Sequence, residues 1–206
     1  MNTVERRQTL KDTLIALAER SIESHGIAGV KARDLAAAAG CSVGAIYNVV
    51  ADLDDLVLMV NERTLAAIEA ELASAPKALS RKAPAQAAAQ QLVHLAHCYL
   101  HYAAAHRERW RAVFDHRLPE GKVLPDWYLE RQYKLFAFVE APLRSLQPDL
   151  PKAEFALLAR SLFSAVHGIV LLGLEEKIAS VSVSELEDQI AVIVGALCRG
   201  LIAQGG

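Results

Sequence analysis

The stretch Lys31-Ala-Arg-Asp-Leu-Ala-Ala-Ala-Ala-Gly40-Cys-Ser-Val-Gly-Ala-Ile-Tyr47-Asn-Val-Val50 decides the fold. It reads as two short helices joined by a tight turn. Alanines at 36–39 favour helix because they lose no side-chain entropy on ordering. Gly40 can adopt positive φ and leave the first helix. Ser42 suits the N-cap of the second, since its hydroxyl can accept an otherwise free N–H of the first turn. Val43, Ile46 and Val50 fall at i, i+3 and i+7, so the spacing predicts a helix starting at Val43 with these three pointing inward. Gly44, Ala45 and Asn48 then point outward. A helix whose outer face is small at its start and carries an amide further along can sink its first turn into a major groove. Leu35 and Ala36 of the preceding helix would lock it in place. Spacing alone fits two packed helices of an ordinary all-α domain as well.

Residue identity goes further. Arg33-Asp-Leu-Ala, then Ala39-Gly-Cys-Ser-Val-Gly-Ala-Ile-Tyr47, then Asp54-Asp-Leu56, resembles the N-terminal domain of TetR-family transcriptional repressors. In that family the pattern runs roughly R-D-I-A, A-G-V-S-x-G-T-L-Y, then a hydrophobic residue and K-E-x-L. The resemblance covers about the first quarter of the chain. A second echo, Val166-His-Gly168, is similar to the WHG type of C-terminal domain found in part of the family. The resemblance implies an all-α protein, with a three-helix helix-turn-helix DNA-binding domain followed by a larger helical ligand-binding and dimerisation domain. It also implies double-stranded operator DNA and a small-molecule effector as partners, and a homodimer formed through the last two helices. Its DNA contacts map onto Lys31, Arg33, Ser42, Val43, Gly44, Ala45, Tyr47 and Asn48.

Three positions depart from the pattern. Ala45 stands for the usual Thr, Val50 for the usual Phe, and Leu53 for the usual Lys that touches a phosphate. Leu53 also lies among Asp52, Asp54 and Asp55, a cluster that suits a helix N-terminus and suits DNA poorly.

Composition sets bounds. At 206 residues the chain can hold one small and one larger domain. Its net charge of −2 excludes a generally basic nucleic-acid binder. Residues 1–50 hold six cations and five carboxylates, so any electrostatic footprint on DNA is local. Apolar content of 53% predicts a large buried subunit interface. No uninterrupted apolar run approaches the ~18–20 residues of a membrane span, and no membrane partner is expected. The charged, helix-patterned N-terminus does not read as a signal peptide, which places the expectation in the cytoplasm. Cys41, Cys98 and Cys198 are odd in number and far apart, which suits thiols used as small hydrophobes.

Along the chain, Leu10, Leu14, Leu17, Ala18 and Ile22 predict a supporting helix over 4–25, ending at Gly26, with Arg6 and Arg7 as a candidate phosphate-seeking arm. Asp52 can cap a helix running to about Ala73. Residues 74–84, with two prolines and three cations, read as a connection. The expected domains are therefore 1–52 for DNA binding, 53–84 as linking helix and connection, and 85–206 for ligand binding and dimerisation. Further helices are expected over 85–106 and 107–116, from Trp127 with a kink or end at Pro142, and from Pro151 to about Lys177 with Asp149 as a cap. Ser161, Ser164 and Gly168 form a small-residue line in that helix, where a neighbour can approach closely. A last helix opens with Ser182…Glu185 or Ser184…Glu187 capping boxes. It carries Leu186, Ile190, Ile193, Leu197 and Leu201 as an apolar seam.

His94, His97 and His101 share one helix face. A metal site is not expected from them, and neither is a cofactor. They read as a polar stripe, solvated or lining a ligand cavity. With Tyr102, Trp110, Phe114, Trp127, Phe136 and His167 they form the candidate ligand-binding set. The alternatives are an enzyme and a helical interaction module of the same fold that does not bind DNA. Nucleophile, phosphate-cradling and paired metal-ligand motifs are missing, so an enzyme is not expected. The weak charge and the aspartate cluster keep the module in view.

Overall fold

The computed structural model describes residues 2–78, 80, 83–175 and 180–204. Among these residues the chain forms α-helices and one 3-10 turn and no strand. The elements are α1 (Thr3–His25), a 3-10 turn (Ile27–Gly29), α2 (Ala32–Ala39), α3 (Val43–Ile46), α4 (Leu53–Ser74), α5 (Pro84–Ala105), α6 (Arg107–Asp115), α7 (Asp126–Leu146), α8 (Lys152–Leu174) and α9 (Val183–Gln204). The all-α expectation holds. Contacts divide the chain into two compact units, 1–67 with 106–131, and 68–105 with 132–206. The 107–115 helix, assigned from sequence to the second domain, packs in the first unit.

In the first unit, α1 starts with a capping box. Asn2 accepts the Val4 amide at 2.6 Å, and Glu5 accepts the Asn2 amide at 2.8 Å. Arg6 and Arg7 therefore lie within α1 and are not a free arm. Gly26, at φ 65°, ends the helix. Leu14, Ile15, Ala18 and Ile22 pack with Leu35, Ala36, Ile46, Val50, Leu56 and Val60 into one buried cluster, which Ala112 of α6 closes. Removing these side chains from water is the main term holding the unit together. Two polar residues are fully buried on α4. Asn61 donates to the Ala112 carbonyl at 3.0 Å, and Thr64 donates to the Val60 carbonyl at 3.2 Å. Each bond satisfies a donor that burial would otherwise leave unpaired. Arg109 of α6 reaches Glu19 of α1 at 2.6 Å.

In the second unit, α5, α8 and α9 pack together. The Ser182…Glu185 box forms, with the Ser182 amide donating to Glu185 at 2.8 Å and the Glu185 amide to Ser182 Oγ at 3.2 Å. The buried line of α9 is Leu186, Ile190, Val194 and Cys198, whereas Ile193 and Leu197 of the expected seam are 42% and 43% exposed. The helix is apolar on two adjacent faces, and spacing alone could not say which one turns inward. The close approach of α8 and α9 depends on Gly173, where an added Cβ would meet Leu186 at 2.2 Å. At Gly168 it would meet nothing within 4 Å. Gly168 of the small-residue line therefore does not serve close packing within the chain.

Three smaller expectations change. Pro142 lies inside α7, which continues to Leu146. The N-cap of α8 is Pro151, with no side-chain cap, so Asp149 lies too far upstream to cap it. The expected end of that helix near Lys177 lies outside the described residues. By length and composition α8 is apolar enough to cross a membrane, with a mean hydropathy of 1.8. A search for uninterrupted runs misses this because Arg160 and His167 break the run.

Candidate nucleic-acid interface and ligand cluster

Gly40 (φ 65°, ψ 33°) ends α2 in the left-handed region. The Cys41 amide donates to the Ala36 carbonyl at 3.0 Å, and the Gly40 amide to the Ala37 carbonyl at 3.2 Å. These two bonds make a Schellman ending, which satisfies two carbonyls and reverses the chain sharply. Ser42 then caps α3, its Oγ accepting the Ala45 amide at 3.3 Å. Ile46 and Val50 anchor the segment, with 0% and 5% exposure. Val50 fills its place although it is smaller than the aromatic usual there.

Val43 corrects the sequence reading. It is 38% exposed rather than inward. The α-helix is a single turn that stops at Ile46, with Tyr47 as its C-cap, so the i, i+7 relation to Val50 does not apply. Val50 returns to the core through the turn that follows. Lys31, Arg33, Ser42, Gly44, Tyr47 and Asn48 are exposed and Ala45 is half-buried. Six of the eight candidate DNA contacts thus lie on or beside the single turn of α3, while Lys31 and Arg33 stand at the start of α2. A Cβ at Gly44 would meet nothing within 4 Å. The protein's own packing does not require a glycine there, and the bare backbone leaves room for an outside partner.

Leu53 packs inward against the buried cluster. With Ile27, Val30, Val57 and His116 it lines a 390 Å³ pocket in the first unit. The neighbouring aspartates are not bare. Lys122 Nζ lies 2.6 Å from Asp52, 3.2 Å from Asp55 and 3.8 Å from Asp54. The Lys122 hydrogen bond, with the Asp55 amide behind it, holds the Asp52 carboxyl below its usual range. Burial works to lower the Lys122 ammonium, but its bonds to Asp52 and Asp55 outweigh that and raise it. His116 Nε2 lies 3.6 Å from Asp54 with its side chain 7% exposed, and burial pushes its pKa down despite the carboxylate. No sequence signal pointed to Lys122, which is 70 residues from Asp52.

The candidate ligand residues divide between the units. Trp110 is 1% exposed in the first unit, with its ring 5.6 Å from that of Phe114. Trp127, 42% exposed, lies edge-on to Tyr128 in the same unit. In the second unit the histidine stripe is tied to backbone and to α9. His94 Nδ1 pairs with the Pro76 carbonyl at 2.8 Å, His97 Nε2 with the Glu187 carbonyl at 3.1 Å, and His101 Nε2 with the Glu187 carboxylate at 2.5 Å. Tyr102 is buried. His167 and Phe136 join a cluster that sequence reasoning only partly found. Tyr99 Oη and His167 Nδ1 share a hydrogen bond of 2.8 Å. Phe163 stacks on His167 at 5.6 Å and meets Phe136 edge-on at 5.6 Å. Phe163 was missed, although it lies one helical turn before His167. Burial lowers the His167 pKa, which favours the neutral ring. The same unit holds a mainly apolar cleft of 590 Å³, lined by Leu72, Ala88, Gln91, Leu95, Phe138 and Pro142. That volume lies within the range of small-molecule sites.

Two further features bear on function. Leu157, Leu172, Val192, Ile193 and Leu197 leave α8 and α9 with an exposed apolar face. Burial raises the Cys98 and Cys198 thiols, which favours their protonated form. Among the described residues no three His, Cys, Asp or Glu side chains are grouped to hold a metal.

The Schellman-ended α2 followed by the serine-capped α3 forms a helix-turn-helix unit. The Tetracyclin repressor-like, C-terminal domain family matches residues 92–197, just over half of the chain, and the protein belongs to this TetR family of transcriptional regulators. Among solved structures, the chain is similar to a Rhodococcus sp. RHA1 protein of unknown function. That protein is 24% identical, with a TM-score of 0.69 over 94% of this chain and 95% of that one. It also resembles a TetR-family transcriptional regulator from Streptomyces coelicolor, 19% identical with a TM-score of 0.59 over 98% of this chain and 90% of that one. These likenesses show the fold. No curated protein matches the sequence.

Proposed function

We propose that this regulator is a homodimeric repressor that reads a palindromic operator and releases it on binding a small apolar or aromatic molecule. The observation that carries the reading is the α3 turn, where Gly44, Tyr47 and Asn48 are exposed above a fully buried Ile46. Asn48 is placed to pair with an adenine edge, and the Ala45 methyl to pack on thymine. Lys31, Arg33, Ser42 and Tyr47 supply backbone contacts, which position the protein without reading sequence. Val43 and Gly44 complete the surface that approaches the groove.

The dimer forms through the exposed apolar face of α8 and α9, as two helices from each subunit. An exposed helix as apolar as α8 is better explained by a second protein copy than by a lipid phase, because Arg160 and His167 would be costly in hydrocarbon. The effector site lies in the second unit, where the 590 Å³ apolar cleft supplies the volume and the cluster of Phe136, Phe163 and His167 supplies aromatic surface and a neutral imidazole. Ligand favours a dimer whose two reading turns no longer match major grooves about 34–36 Å apart. Leu53 packs against the buried cluster of the first unit, which supports a reading in which position 53 makes no phosphate contact.

The test is selection of duplexes from a random pool by the full-length protein. The expected outcome is enrichment of a two-fold symmetric sequence bound by one dimer. Enrichment of no sequence supports the helical interaction module instead.

A further inference from the structure

Residues 117–125 connect α6 to α7 without regular structure, and their local chemistry is specific. The Lys122 amide donates to the Pro119 carbonyl at 3.1 Å, and Gly121 between them has φ 82°. Such a turn needs glycine at its third position, and the sequence Pro-Glu-Gly-Lys supplies it. The product of the turn is the placement of one ammonium. Lys122 Nζ touches both Asp52 oxygens, at 2.7 Å and 2.6 Å, and reaches Asp55 and Asp54 beyond.

The aspartates do not need this lysine to start α4. Asp52 caps the helix on its own by accepting the Asp55 amide at 2.9 Å. Asp54 and Asp55 sit in the first helical turn, where the backbone dipole already favours negative charge. The contacts are only partly buried, so solvent still screens part of what they add to stability. The consequence lies in the reading head. Asp52 ends the turn that begins at Tyr47 and Asn48, so whatever holds Asp52 holds the last residue of that turn. Three carboxylates within four residues would also repel phosphates brought to this edge.

We propose that Lys122 is a positioning residue for DNA binding. By gathering Asp52, Asp54 and Asp55 it cancels charge that opposes the nucleic acid beside the 47–52 turn. This rests on the DNA-binding reading above. It also assigns the 117–125 segment to the reading head.

The experiment measures binding of the full-length protein to a labelled duplex that the wild type selects, at about 50 mM and about 300 mM salt, beside thermal melts. Lys122→Met should weaken binding about tenfold at low salt, and the deficit should shrink at high salt as the carboxylates are screened. Lys122→Arg should stay within about twofold of wild type. The triple variant Lys122→Met, Asp54→Asn, Asp55→Asn should regain most of the loss, which a purely structural defect would not do. Wild-type affinity in Lys122→Met overturns the inference. So does a deficit that is equal at both salts and is not regained by the triple variant. If the wild type selects no duplex, the functional reading and this inference fall together. If the wild type binds and Lys122→Met binds equally, only this inference falls.

Discussion

A methyl group on Gly173 would come within 2.2 Å of Leu186 Cδ2, and Leu186 is 1% exposed. The contact sets how closely α8 approaches α9. Gly173→Ala should therefore destabilise the protein by about 1–3 kcal/mol, through a side chain with no space to yield. Thermal unfolding checks this, and Leu186→Ala added to Gly173→Ala should cost less than the two changes summed. Strict additivity would place the contact elsewhere.

Trp110 is a buried residue of the first unit, on the helix α6 that packs against α1. Trp110→Ala should cost about 3–5 kcal/mol in denaturant unfolding. A loss below about 1 kcal/mol would mean that the site is loosely packed and open to a ligand.

His116 and His167 are both held below the ordinary histidine value of 6.5 by burial. A depressed pKa means that the unfolded chain binds more protons than the folded one between the lowered value and 6.5. The associated stability is therefore complete above pH 6.5 and is lost as pH falls through the folded pKa. Melting temperature should drop on acidification from neutral pH, and the drop should be smaller in His116→Asn and in His167→Gln. Equal slopes in wild type and both variants would show that neither ring is held neutral.

Much of this was legible in the sequence because helix starts and stops are local. Gly40, Ser42, Asp52 and the Ser182…Glu185 pair do what their chemistry suggests, since each acts on amides within a few residues. Val43 was misplaced because a seven-residue period was assumed for a helix that lasts one turn. Trp110 read as a ligand aromatic because nothing local says that α6 packs on α1. Lys122 and Asp52 meet across 70 residues of chain, and such a pairing leaves no periodic trace. On α9, Ile193 and Leu197 belong to a second apolar face, and periodicity shows that a face exists without showing what covers it.

The effector reading predicts a reciprocal effect. An aromatic or apolar compound that lowers DNA affinity tenfold must itself bind the DNA complex tenfold more weakly, a coupling of about 1.4 kcal/mol. Calorimetric titration into free and DNA-bound protein checks it. Equal affinities would mean that the bound compound does not regulate.

The central claim is that the exposed turn at 42–48 reads DNA. The most direct measurement compares wild type and Asn48→Ala on a selected duplex and on all single-base variants of each half-site. Asn48→Ala should lose preference at one position per half-site, worth about 1–3 kcal/mol there, and keep the preference elsewhere. An unchanged preference at every position would contradict it.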